Sequence, residues 1–280
     1  MIYAFLLSFL TLTAWAQQTA PSAEQIWDTK NQRWIEFSEF HKTIAAGDTL
    51  VLGEVHGFPG DEEDPVNVQH HINQSRLLQN LSQHALTTPR RLHVGMEFLF
   101  YNLQEVADRW LADELDDDQF INESDWGSSP LFFYRSQMRE PTVSGGRLLA
   151  LNIPRSISST VARHGPQGLS EDQKKLLPPI WERGGDLYFE RIQDYLKDHG
   201  PGIDLDLYFL AMSLWDDTMA WNSTRHRQGA DNLVIIVGET HVLYGHGLPA
   251  RLQRYGALQV KTLVQRHVEK WTDEDRRTAI

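Results

Sequence analysis

Two apolar runs, far apart in the chain, close on the same four-residue pattern. Leu50-Val51-Leu52 leads into Gly53-Glu54-Val55-His56, and Leu233-Val234-Ile235-Ile236-Val237 leads into Gly238-Glu239-Thr240-His241. Short β-branched apolar runs ended by glycine read as buried strands, and a run with no polar residue suits a parallel strand covered on both faces. Each glycine lets the chain leave the sheet sharply, so a carboxylate and an imidazole arrive at the carboxyl end of each strand. In open parallel sheets, ligands bind beyond those ends.

The remaining pattern supports such a sheet. Asp48–Leu52 and Asn232–Val237 are the two strands above, and Arg91–Glu97, Arg147–Asn152 and Leu258–Val264 are three more. Asp64 followed by Pro65 reads as an N-cap and first helical position, opening a helix over about 66–86. Further helices are expected at Asn102–Leu115 and Leu248–Arg254. From Pro154 to His226 the pattern is helical, broken at Gly165-Pro166, Pro178-Pro179, Gly184-Gly185 and Gly200-Pro201-Gly202. That is too long for an ordinary crossover. The predicted fold is therefore α/β, a mostly parallel β-sheet flanked by helices, with an inserted helical subdomain within about 154–226.

Residues 1–16 carry no charged side chain, hold an apolar run and end in Ala14-Trp15-Ala16. This is the pattern of a secretory signal peptide, which leaves 17–280 as a single mature, exported, periplasmic domain. A retained apolar anchor is the competing reading. The chain has no cysteine, so disulfides, thiolate ligands, a thiol nucleophile and a lipoprotein anchor are all excluded. Its net charge of -12 argues against nucleic acid as a partner.

Glu54, His56, Glu97 and His241 converge on the predicted rim, with Asn152 ending a neighbouring strand. Carboxylate oxygen and imidazole nitrogen suit a divalent metal ion, and the same four residues suit metal-free general acid–base catalysis. One such turn alone would more simply satisfy nearby backbone groups. His71, on the apolar arc of its helix, points at the rim or packs in the core. Asp216 shares a helix face with Leu205, Phe209 and Met212, so this carboxylate needs a buried partner, whereas Trp215, Met219 and Trp221 read as core. Tyr244 and His246 follow the second motif on a glycine-flexible loop. Tyrosinate and imidazole both ligate haem iron, although an exposed turn is the simpler reading of the loop by itself.

The segments "VLGEVHG", "HHINQSRLL", "VGMEF", "ALNIPR", "LWDDTMAW" and "VGETHVLYGHGLPARL" together resemble, in order, the ChaN-like family of haem-binding uptake proteins within the Tiki superfamily. The resemblance implies a parallel α/β core with a helical subdomain, export, and haem binding in iron acquisition. It further suggests a haem transporter or receptor as partner, and a homodimer. In the wider superfamily these motifs resemble the active sites of metal-dependent proteases and erythromycin-esterase-like hydrolases. Carried over, those positions are Glu54, His56, Glu97 and His241, with Asp216 matching the aspartate of the tryptophan-containing helix. Two departures stand out: the lipoprotein cysteine is missing, and Glu239 occupies a position that is often not acidic. Two functions lead, an exported haem-binding protein or a metal-dependent peptidase or esterase, ahead of a superfamily scaffold that has lost both.

Overall fold

Five strands form one wholly parallel sheet in the order β5-β4-β6-β3-β7: β3 (Asp48–Glu54), β4 (Leu92–Phe100), β5 (Leu148–Asn152), β6 (Asn232–Gly238) and β7 (Gln259–Val264). A separate antiparallel hairpin, β1 (Gln25–Asp28) with β2 (Arg33–Glu36), precedes it. The computed structural model describes residues 25–57, 59–197, 204–226, 229–257 and 259–265. The leader 1–16 and the tail from Glu269 lie outside the described residues. Among the described residues, no helix is long and apolar enough to cross a membrane.

The apolar strands are buried on both faces because alternate side chains enter different cores. Leu50, Leu52, Val94, Met96, Val234 and Ile236 pack in the same core as Leu77, Leu78 and Leu81 of α1 (Pro65–Leu86) and Trp110 of α2 (Gln104–Leu111). Val51, Leu149, Leu233, Ile235 and Val237 pack with Met219 and Ala220 from a later helix and with Leu248 and Leu252. Each fully buried Val, Ile or Leu contributes roughly 1.5–3 kcal/mol, so this double facing makes β6 the anchor of the fold.

The β4-to-β5 connection contains α3 (Asp117–Glu123) and α4 (Arg135–Arg139) as well as α2. Between β5 and β6 lie α5 (Arg155–His164), α6 (Glu171–Lys174), α7 (Asp186–Lys197) and α8 (Leu205–His226), and α9 (Leu248–Arg254) precedes β7. The two ends of α8 bury different surfaces. Met219 and Ala220 meet the sheet, whereas Phe209 and Met212 pack with Tyr188 and Ile192 of α7, and Ala211 and Leu214 pack with Ile157 and Val161 of α5.

Two boundaries differ from expectation. β4 continues to Phe100, so Glu97 lies inside the strand rather than ending it. Its pairing with β6 stops at Met96, opposite Ile236, and its register with β5 shifts between Met96 and Phe100. Glu97 therefore occupies the first β4 position beyond the β6 ladder. The helix expected over Asn102–Leu115 is a 3-10 turn at Tyr101–Leu103 followed by α2 alone. Asp113, at φ 60°, turns the chain left-handed just after α2, a conformation that aspartate tolerates.

Candidate functional site

The two repeated motifs stand side by side on neighbouring strands, offset by one residue: Glu54 pairs in register with Gly238. Glu54 is buried where β3 ends. Its Oε1 accepts from the Tyr134 hydroxyl at 2.7 Å, and its Oε2 accepts from Gln74 Nε2 on α1 at 2.8 Å. His56 folds back over the strand end. Its Nδ1 is 3.2 Å from Glu54 Oε1 and its Nε2 is 3.7 Å from Glu97 Oε2. Only glycine at 238 admits this ring, because a Cβ there would lie 2.8 Å from His56 Nε2.

Glu97 Oε2 accepts the Gly238 backbone N–H at 2.6 Å, and Glu97 Oε1 lies 3.5 Å from His241 Nε2. The other nitrogen of His241, Nδ1, lies 2.8 Å from Asp216 Oδ1 on α8. Carboxyl and imidazole groups thus alternate across the sheet end from Glu54 to Asp216. His56, with a side chain 25 % exposed, is the accessible link; Glu54, Glu97, Asp216 and His241 are sealed.

Burial alone would favour the neutral form of each group. For Glu97 it would raise the carboxyl pKa, but the charges of His241 and His56 and the hydrogen bonds from His241 and Gly238 outweigh it and bring it to about 2. Burial would likewise lower His241, yet Glu97 and Asp216 raise it to about 10. His56 is shifted upward in the same way, burial being outweighed by Glu97 and Glu54. His71 goes the other way, since its burial is opposed mainly by the more distant Glu54. Its Nδ1 is 4.0 Å from Glu54 Oε2, Gln74 is its one hydrogen-bonding neighbour, without good geometry, and the ring stacks on Phe133 at 4.5 Å.

The four rim residues expected from the sequence come together, but as an internally paired chain. Among the described residues, no group of three or more His, Asp or Glu is arranged to hold a metal ion. The ion expected on Glu54, His56, Glu97 and His241 therefore has no ready cage, because the carboxylate oxygens face the imidazole nitrogens pairwise instead of one shared point. The hydrolase alternative gains no support for the same reason. A general base needs a carboxylate aimed at substrate, whereas Glu54 and Glu97 are engaged by Tyr134, Gln74, His56, His241 and Gly238.

Asp216 finds its buried partner in His241, and Asn152 donates to the Glu97 backbone carbonyl at 3.2 Å. Glu239 is half-buried, in contrast to Glu54. Met219 lies in the core, while Trp215 stacks its ring over His241 at 5.9 Å. Tyr134, Gln74, Tyr188 and Arg251 were missed. Each reaches the cluster from another element; Gln74 lies within the segment HHINQSRLL and Arg251 within VGETHVLYGHGLPARL, whereas Tyr134 and Tyr188 lie in no such segment.

Tyr244 and His246 sit apart from the buried chain, on the loop after the second motif. Tyr244 is 38 % exposed with φ 60°, and the Arg191 guanidinium of α7 lies 4.1 Å over its ring. His246 is half-exposed, 6.3 Å ring to ring from Tyr188.

Known proteins share this architecture. A solved structure, "Cofacial heme binding to ChaN of Campylobacter jejuni", superposes with a TM-score of 0.66 at 17% identity, covering 91% of this chain and 93% of that one. At that identity the likeness shows the fold. Protein RETICULATA-RELATED 5, chloroplastic, of Arabidopsis thaliana is 26% identical over 227 residues, 73% of this chain but 29% of that protein. The chain thus spans less than a third of that relative. A family model described as haem-binding uptake, Tiki superfamily, ChaN matches residues 40–252, and with β3, both Gly-Glu-x-His motifs and the Asp216 helix all inside that span, the chain belongs to this family.

Proposed function

We propose that this chain binds haem in iron uptake, on the surface formed by α7 and the 242–247 loop, with Tyr244 as the iron ligand. The observation that carries the reading is the state of Tyr244: a large side chain held exposed in a left-handed backbone conformation. For a residue other than glycine, such a conformation costs on the order of 1–3 kcal/mol and collects at ligand sites.

The neighbouring surface suits a porphyrin. Leu187 and Tyr195 are 49% and 43% exposed and flank Arg191 at four-residue spacing on one face of α7. This gives apolar area for the macrocycle and a guanidinium for propionate carboxylates, which it pairs in bidentate fashion. Burial, then the charge of Arg191, lower the His246 pKa, so its imidazole keeps a lone pair at neutral pH as a second iron ligand. The Campylobacter relative is described as binding haem cofacially. An exposed haem face on each of two copies accommodates such an arrangement in a homodimer. The uncharged apolar leader supports an exported, periplasmic setting, with a haem transporter or receptor receiving the cargo.

Haemin titration of the mature protein tests this reading. A shifted Soret band is expected in the wild type, weakened in His246→Ala and lost or altered in Tyr244→Phe. A wild type without the shift would overturn the proposal.

A further inference from the structure

The loop carrying Tyr244 is tied down at several points, and the ties converge on one carboxylate. Between His241 and Pro249, Tyr244 is the one exposed residue; Val242, Leu243, Gly247 and Leu248 are buried. His241 begins the loop with its Nδ1 2.8 Å from Asp216 Oδ1. The Tyr188 hydroxyl, on α7, lies 3.0 Å from the Thr240 carbonyl oxygen and 3.3 Å from Asp216 Oδ2, sharing its proton between them. Arg251 Nη1, on α9, donates to the His246 and Gly247 carbonyls at 3.1 and 3.3 Å and stands 3.9 Å from Asp216 Oδ2. Three side chains from the loop, α7 and α9 thus meet on Asp216, which is wholly buried on α8. Gly247 completes the closure, since a Cβ there would lie 2.3 Å from the His241 carbonyl oxygen and 2.6 Å from the Tyr188 hydroxyl.

Resting on the haem-binding reading, we infer that Asp216 is a positioning residue: through His241, Tyr188 and Arg251 it clamps the 240–247 backbone and holds Tyr244 ready for iron. A ligand held in its bound geometry loses less freedom on binding, and a left-handed tyrosine persists only where its surroundings fix it. This gives the second Gly-Glu-x-His motif a role distinct from catalysis. Its histidine fastens the base of the ligand loop to the core. The strand from β6 brings His241 to Asp216, and the loop that leaves it presents Tyr244.

Tyr188→Phe is the discriminating variant. It keeps the ring among Ile192, Phe209 and Met212 and removes only the hydroxyl. In the haem-free protein, hydrogen–deuterium exchange at 242–247 is expected to accelerate several-fold, with β3 and β6 unchanged. With haemin, binding is expected to weaken roughly tenfold, the worth of one hydrogen bond, and the tyrosinate-to-iron charge-transfer band at saturation should diminish. Asp216→Asn should act in the same direction and more strongly; should it fail to fold, Tyr188→Phe decides alone. A lower urea midpoint with unchanged loop exchange and an unchanged band at saturation would show ordinary structural support and overturn the inference. If the wild type shows the tyrosinate band and both variants match it in band and exchange, the clamp falls while the haem reading stands. If the wild type shows no Soret shift, the haem reading and the positioning role fall together, and a Soret shift without the tyrosinate band removes Tyr244 as ligand and overturns the positioning role while haem binding stands.

Discussion

Glu54 and Gly238 are register partners on adjacent parallel strands, so a carboxylate on one stands level with a bare backbone on the other. The gap left by Gly238 is filled by the ring of His56, whose Nε2 would be 2.8 Å from an added Cβ. Gly238→Ala is therefore expected to destabilise the protein by about 1–3 kcal/mol, the usual cost of forcing an extra methyl into a packed site. Its φ of -54° adds no backbone strain. Urea unfolding of Gly238→Ala, alone and with His56→Ala, checks the origin of the cost. An equal penalty in both backgrounds would show that His56 is not what the methyl strikes.

The Glu97–His241 pair fixes a pH window. Glu97 is depressed to about 2 from 4.5, so its contribution is complete above the ordinary carboxylate range and is lost as pH falls toward 2. His241 is raised to about 10 from 6.5, so its contribution is complete below the ordinary imidazole range and is lost as pH rises toward 10. Stability from the pair should plateau between about 4.5 and 6.5 and decline on both sides. Glu97→Gln should cost about 3–5 kcal/mol on the plateau, as removal of one partner of a buried pair does, and should shrink both slopes. Urea midpoints measured across pH test this, and a wild-type curve still rising above pH 7 would contradict it.

His71 offers the opposite expectation. Its ring nitrogens are buried without a well-formed hydrogen bond, Gln74 being the one neighbour placed to make one, and an unsatisfied buried polar group costs about 1–3 kcal/mol. Replacement by phenylalanine keeps the stack on Phe133 and removes that cost. Thermal unfolding should show His71→Phe as stable as the wild type or more so. A loss above about 2 kcal/mol would indicate that the nearby Glu54 depends on this imidazole.

Tyr134→Phe should be costly. The hydroxyl donates to Glu54 Oε1 at 2.7 Å and accepts the Gly57 N–H at 3.1 Å, and both partners are buried. A hydrogen bond to a charged group is worth about 1.5–3 kcal/mol. The expected loss in urea unfolding is about that size, accompanied by faster amide exchange at Gly57.

Arg191→Gln tests how the proposed ligand is recognised. Haemin should bind roughly tenfold more weakly, within the range for one charge-assisted pair, while haemin dimethyl ester, which lacks the carboxylates, should bind both proteins alike. Equal losses for the two porphyrins would assign Arg191 to holding the Tyr244 ring instead.

Residues whose roles follow from alternation along the chain were legible in the sequence. The apolar strands, the Asp64 cap and the helix from Pro65 fall where pattern places them, because burial and capping act over a few neighbours. Asp216 was recognisable as a buried carboxylate from its helix face, although its partner was not. The hairpin of β1 and β2 was missed. Its strands have four residues each, and its turn uses Gln32 at φ 51° in place of a glycine. Glu97 was found, but not its place inside β4, since a strand that outlasts its neighbour leaves no mark in its own letters. Tyr134, Tyr188 and Arg251 join the buried network through contacts between distant elements, which have no period to read.

The offset between the two strand ends has a further consequence. Matching the repeated tetrapeptides letter by letter superposes Glu54 on Glu239 and His56 on His241, as though the molecule had two equivalent halves. The sheet pairs unlike with unlike: glutamate beside glycine, and the second copy's missing partner supplied by Glu97 from a third strand. What looks in the linear text like duplication is in space a division of labour, one histidine left at the surface and the other sunk as ballast beneath a loop.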